Sequence, residues 1–116
     1  MLPLHTVAET PEFLAGARRV LTEAERQELI DFLAAHPSTG ELMPGTGGAR
    51  KLRWGAKGRG ERGGARAITY YGGPNFPVFL LAVFGKGERA DLTKAERSEL
   101  REVLGRLAGE YRERVG

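Results

Sequence analysis

The sequence predicts an α+β domain built on a mostly antiparallel sheet, in the order β-α-α-β-β-β-α. Three observations carry this. Helix-start signals occur at Thr10, Thr22 and Thr93, each leading into apolar residues at helical spacing. Between the second and third of them the apolar period drops to two. The period-two segments follow one another directly, which favours hairpins over crossovers. All 116 residues suit one domain, with neither an internal repeat nor a linker to divide them.

Leu4 to Val7 reads as a short strand. Thr10-Pro11-Glu12 is an N-cap, a proline at the first helical position and an acidic first turn. Phe13, Ala17, Val20 and Leu21 then share one helical face. Thr22-Glu23-Ala24-Glu25 has capping-box spacing and opens a second helix. Leu29, Ile30 and Leu33 form its stripe, and His36-Pro37 ends it.

Residues 37–48, "PSTGELMPGTGG", read as a loop dense in glycine and proline. Alternation begins after it. Leu52 and Trp54 point one way, and Lys51 and Arg53 the other. Residues 55–64 hold five glycines and read as a hairpin connection. Ala65 to Tyr71 is the next strand, with Arg66, Ile68 and Tyr70 on one face. After the turn "GGPN", Phe76 to Phe84 is apolar on both faces and reads as a central strand. Thr93-Lys94-Ala95-Glu96 is a third capping box. Leu92, Ala95, Leu100, Val103, Leu104, Leu107, Ala108 and Tyr111 give the last helix its apolar stripe.

Composition excludes several classes of function. There is no cysteine, so disulfides, thiolate metal sites and cysteine nucleophiles drop out. No apolar run approaches the roughly 20 residues that span a bilayer, and "MLPLHTVAETPEF" lacks a signal-peptide pattern. The expectation is a cytoplasmic protein without a membrane partner. Of the two histidines, His36 at a helix end suits the helix dipole. No Ser/His/Asp set and no metal-ligand cluster is spaced to argue from, so no metal or other cofactor is expected. Gly58 to Gly63 matches G-x-G-x-x-G but opens a strand rather than a helix, and is set aside as a dinucleotide site.

What remains is cationic. Residues 50–66 carry Arg50, Lys51, Arg53, Lys57, Arg59, Arg62 and Arg66 against Glu61 alone, a net charge of +6. The other 99 residues carry eleven basic and fourteen acidic side chains, a net of −3. If the hairpin pairs symmetrically about residues 55–64, Arg66 comes near Arg53 across the sheet. Crowded like charges are unfavourable unless an anion meets them. Such a cluster can clamp a phosphate, and a lysine within it can serve as a base. It could bind the scissile phosphate of an RNA and carry metal-free transesterification. The plainer alternative is non-specific phosphate binding.

The run "HPSTGELMPGTGGARKLRWGAKGRGERGGARAITYY", followed by "VFLLAVFGKGERADLTKAE", resembles the RelE/HigB family of bacterial toxins. The resemblance is to the HigB-like branch with the signature "PGTGG-x-RK-x-RW", and extends from about Phe13 to about Leu104. It implies a microbial-RNase fold: an antiparallel twisted sheet with the two N-terminal helices on one side, followed by a C-terminal helix. It implies an endoribonuclease that enters the A site of the 70S ribosome, contacts 16S rRNA and cuts mRNA. Attack by the 2′-OH would leave a 2′,3′-cyclic phosphate or 3′-phosphate and a 5′-OH. It also implies a cognate helix-turn-helix antitoxin, through which any contact with DNA would be indirect.

By position, Lys51 and Arg53 match the family's paired basic residues on a strand. Arg66 matches the arginine that contacts the scissile phosphate, and Lys86 falls at the cationic position after the last core strand. Two positions depart from the pattern: Gly87 stands where some members have an arginine, and Thr93 stands about where some have a catalytic tyrosine. Lys51 is the first candidate for the base and Lys57 the second. Arg50, Lys57, Arg59 and Arg62 are expected to meet RNA backbone. Trp54 could stack on a base or pack in the core, and Tyr70 could orient substrate or serve as a half-buried sheet aromatic. Two rival readings use the same residues: a non-catalytic RNA- or ribosome-binding module, and a partner acting mainly within a DNA-binding repressor complex.

Overall fold

The computed structural model describes residues 4–55, 64–85, 87–89 and 91–115, with side chains to Glu110. The elements run β1 (Val7–Glu9), α1 (Pro11–Val20), α2 (Glu23–Ala35), β2 (Glu41–Leu42), β3 (Ala49–Trp54), β4 (Ala65–Tyr71), β5 (Val78–Gly85) and α3 (Lys94–Val115). The strands form one mixed sheet in the order β1-β5-β4-β3-β2. β1 lies parallel to β5, and the other neighbours are antiparallel. The domain is α+β, as its sequence pattern predicts, with β2 in addition.

The sheet is buried on both faces. Against one face, Phe13, Ala17, Val20, Leu29 and Leu33 of α1 and α2 pack on Ala65, Ala67, Val78, Leu80 and Val83. Against the other, Leu104 of α3 packs with Ile68, Tyr70, Phe79 and Phe84, and Leu100 and Leu107 flank it. This is why the 78–85 segment shows no polar face. Val103 is 45% exposed and stands outside the α3 stripe predicted for it.

The three helix starts are where the sequence puts them, because a cap is a contact within three residues of chain. Thr10 Oγ1 accepts the Phe13 N–H at 3.2 Å. Thr22 and Glu25 exchange bonds of 3.1 and 2.7 Å, and Thr93 and Glu96 exchange bonds of 3.1 and 2.8 Å. Thr10 also donates to Leu80 O at 2.9 Å and Leu81 O at 3.1 Å. Those carbonyls lie at a β-bulge: Ile68 pairs with Ala82 and Thr69 with Leu80, leaving Leu81 unopposed. At Gly16, α1 runs so close to β5 that a Cβ would lie 2.4 Å from Val83 O.

Several boundaries differ from expectation: the central strand runs Val78–Gly85 rather than Phe76 to Phe84. The first strand is Val7–Glu9 rather than 4–7, and Leu4 is exposed. Glu9 can occupy a strand because Arg26 of α2 meets its carboxylate at 2.6 and 2.9 Å. The predicted 37–48 loop contains β2, whose two residues pair with Lys51 and Arg50. Among the described residues no helix is long and apolar enough to cross a membrane.

Candidate nucleic-acid interface

The "PGTGG" turn sets the register of β3. Thr46 is fully buried; its hydroxyl donates to Met43 O at 2.7 Å and accepts the Ala49 N–H at 3.0 Å. Gly47 and Gly48 have φ of +77° and +117°, a region that side chains oppose. Beyond the turn, Ala49 faces α3, so alternation directs Lys51 and Arg53 to that same face.

β3 and β4 pair as the cationic-hairpin argument predicts. Arg53 is the register partner of Arg66, and Lys51 that of Ile68. Arg66 and Ile68 share the α3 face, so Lys51, Arg53 and Arg66 form one cluster at the end of the sheet nearest the 55–64 connection. Arg53 is exposed, and among the described residues no carboxylate pairs with it or with Arg66.

Lys51 is different. Its Nζ lies 3.2 Å from Asp91 Oδ2, and its side chain is 23% exposed. The same oxygen takes a bond of 2.8 Å from Arg97 Nη2, while Asp91 Oδ1 accepts the Leu92 N–H at 2.8 Å. Burial acts to raise the Asp91 carboxyl. The Leu92 bond, the Lys51 bond and the charges of Lys51 and Arg97 more than offset this and hold it below the ordinary aspartate range. The expected role of base rested on cations around Lys51; its Nζ meets a carboxylate that also holds Arg97.

Arg89 completes the frame. It donates to Asp91 O at 3.1 and 3.0 Å, pairs with Glu96, and lies 5.2 Å over the Phe84 ring. The Arg89 bond, then the Thr93 N–H, holds the Glu96 carboxyl down at about 2. Arg89 thereby ties Asp91 to the start of α3 and keeps it in reach of Lys51.

Three expected contacts are placed otherwise. Trp54 lies on the opposite face from Lys51 and Arg53, its ring 5.3 Å from that of Phe32 in the core under α2. Alternation with Leu52 made it a core residue, so it does not present a stacking surface beside the cations. Tyr70 is 9% exposed, packed with Met43, Ile68 and Phe79, and a Cβ at Gly48 would touch its ring at 3.4 Å. It is a core aromatic rather than a substrate-facing one. Arg50 also turns away from the cluster and donates to Gly40 O at 3.0 Å, which fastens the loop before β2. Lys57, Arg59, Arg62 and Lys86 lie outside the described residues.

Sequence reasoning missed Asp91, Arg97 and Arg89. The only local signal was an aspartate two residues before the third helix cap. Its partner Lys51 is 40 residues away in the chain. Among the described residues, no three histidine or carboxylate side chains gather as a metal site. A scan against models of known protein families matches none of them to this chain.

Proposed function

We propose that this chain is a ribosome-dependent endoribonuclease of the RelE/HigB toxin type, acting in the cytoplasm and silenced by a cognate helix-turn-helix antitoxin. The observation that carries the reading is the pairing of Arg53 with Arg66 beside Lys51 on one sheet face. Two opposed guanidinium groups that no carboxylate pairs with among the described residues suit a bound anion, and arginine meets phosphate with a planar, two-pronged donor set.

In this reading the 2′-OH of mRNA attacks the adjacent phosphorus and loses its proton to a base. The P–O5′ bond breaks, the 5′ oxygen takes a proton, and a 2′,3′-cyclic phosphate forms. Arg53 and Arg66 meet the charge that builds on the phosphoryl oxygens. No metal is required, because the cations supply the charge compensation that a metal would bring. Lys51 stays the first candidate for the base and Lys57 the second.

A reconstituted translation system tests this. Arg66→Ala should lower single-turnover mRNA cleavage by roughly a hundredfold, the order for one lost transition-state contact, with ribosome affinity near normal. Uncut mRNA in the presence of folded wild-type protein overturns the reading. The alternative is a non-catalytic RNA-binding module, favoured by the Lys51–Asp91 ion pair, which occupies the first candidate for the base. Binding without cleavage would select it.

A further inference from the structure

One oxygen of Asp91 bridges a strand lysine and a helix arginine, at 3.2 Å from Lys51 Nζ and 2.8 Å from Arg97 Nη2. An oxygen of a phosphodiester has the same charge and donor preference. Arg97 Nη1 also donates to Pro44 O at 3.1 Å. With Lys94, Arg101 and Glu102, Arg97 lines an open groove of ≈ 700 Å³ between α3 and the Pro44 turn. Lys94, Arg97 and Arg101 stand at spacings of three and four residues, so they share one helical face. The groove therefore runs along Arg97, one of the two groups that hold the bridged oxygen, and past two further cations.

We propose that Lys51 and Arg97 form a phosphate-binding site for single-stranded RNA, which the Asp91 carboxylate fills in the free protein and an RNA phosphate displaces. This rests on the reading of RNA as the ligand. Side-chain exposures of 23% for Lys51, 26% for Arg97 and 38% for Asp91 leave the bridge open to water. Partly exposed pairs of this kind are weak, so exchange is within reach of a competing phosphate. Asp91 has somewhere to stay on exchange. Its Oδ1 keeps the Leu92 N–H, and its carbonyl keeps Arg89. The carboxylate is thus an internal competitor: it holds Lys51 and Arg97 in place while lowering the net attraction for RNA.

Binding of a 2′-O-methyl oligonucleotide, which lacks the attacking hydroxyl, tests this by fluorescence anisotropy over a range of salt. Asp91→Asn keeps the shape and the Leu92 bond and removes the charge. It should lower Kd about threefold or more and steepen the slope of log K against log salt by about 0.7, the single-strand value for one phosphate. Arg97→Gln should raise Kd and flatten the slope by a similar amount. Inorganic phosphate should compete at lower concentration against Asp91→Asn than against wild type. An unchanged or weaker Kd for Asp91→Asn overturns the proposal, and so does an unchanged slope for Arg97→Gln. If Asp91→Asn fails to give a native circular-dichroism spectrum, Arg97→Gln decides alone. Wild-type protein that does not bind the oligonucleotide removes the RNA reading itself; wild-type binding with unaltered variants removes only this inference.

Discussion

Opposed arginines on neighbouring strands should cost the free protein stability, and a double-mutant cycle on Arg53 and Arg66 measures that cost. Directly paired cross-strand residues have Cβ atoms about 5 Å apart, and long side chains can splay their charges to about 7 Å. Coulomb's law then gives a repulsion of about 0.6 kcal/mol at the dielectric of water and about 2.4 kcal/mol at an effective dielectric near 20. Arg53 is exposed, so the lower figure applies best. Arg53→Gln, Arg66→Gln and the double variant are unfolded in urea at about 0.01 M salt, where screening reaches about 30 Å. The expected coupling is unfavourable to the native state by about 0.6 kcal/mol. It should shrink severalfold by 1 M salt. Each single variant also loses packing of its stem, which the cycle cancels. A tight-binding oligonucleotide should reverse the order and stabilise wild type over both single variants. A coupling of zero or of the opposite sign at low salt would refute the idea that these two cations are held together against their own repulsion.

Three further outcomes follow from the packing and the charges. Gly16→Ala gains about 1 kcal/mol in helix propensity, but its Cβ would meet Val83 O at 2.4 Å, about 1 Å inside ordinary contact. The overpacking cost of about 1–3 kcal/mol should dominate, and a melting temperature equal to or above wild type would contradict the close α1–β5 approach. Thr10→Val should cost about 1 kcal/mol in urea unfolding through the lost cap, with no cost expected if the cap were already satisfied elsewhere. The Glu96 carboxyl is held near 2 in the folded state, against about 4.5 unfolded. Its contribution is therefore present above about pH 4.5 and lost as pH falls from there toward 2. Glu96→Gln should flatten the urea midpoint over that window, and an unaltered pH profile would count against the Arg89 pair.

What could be read in the chain was what is local or strictly periodic. The three caps are contacts across three residues, and Leu52, Trp54, Ile68 and Tyr70 obey a period of two, so starts and faces came out of the sequence directly. The Arg53–Arg66 pairing was legible because a hairpin with a symmetric connection has little choice of register. The edges of the sheet were not legible. Glu9 stands in β1 by virtue of Arg26, 17 residues on, whereas the apolar pattern favoured Leu4. β2 is two residues long, too short for a period, and follows from the Thr46 turn. The site was half legible: three cations were placed together, while Asp91 and Arg97, which change what Lys51 can do, come from a distant loop and a helix face that read only as solvated charge.

The unopposed Leu81 governs the parity of β5. Before it, even-numbered residues such as Val78 and Leu80 face α1 and α2; beyond it, an odd-numbered residue, Val83, does so. Without the extra residue, either Val83 and Phe84 would exchange faces or the pairing with Ala67 and Arg66 would slip by one. Because both faces of β5 are apolar, hydropathy alone would tolerate either parity. Thr10, bonded to both carbonyls at the irregularity, is the device that chooses between them. Insertions or deletions of single residues in β5 should therefore be excluded, while changes of two, which restore parity, should be accommodated. The cationic end of β4 depends on this: Arg66 is paired opposite Phe84, so the phase of β5 decides which side chains lie beside Arg66.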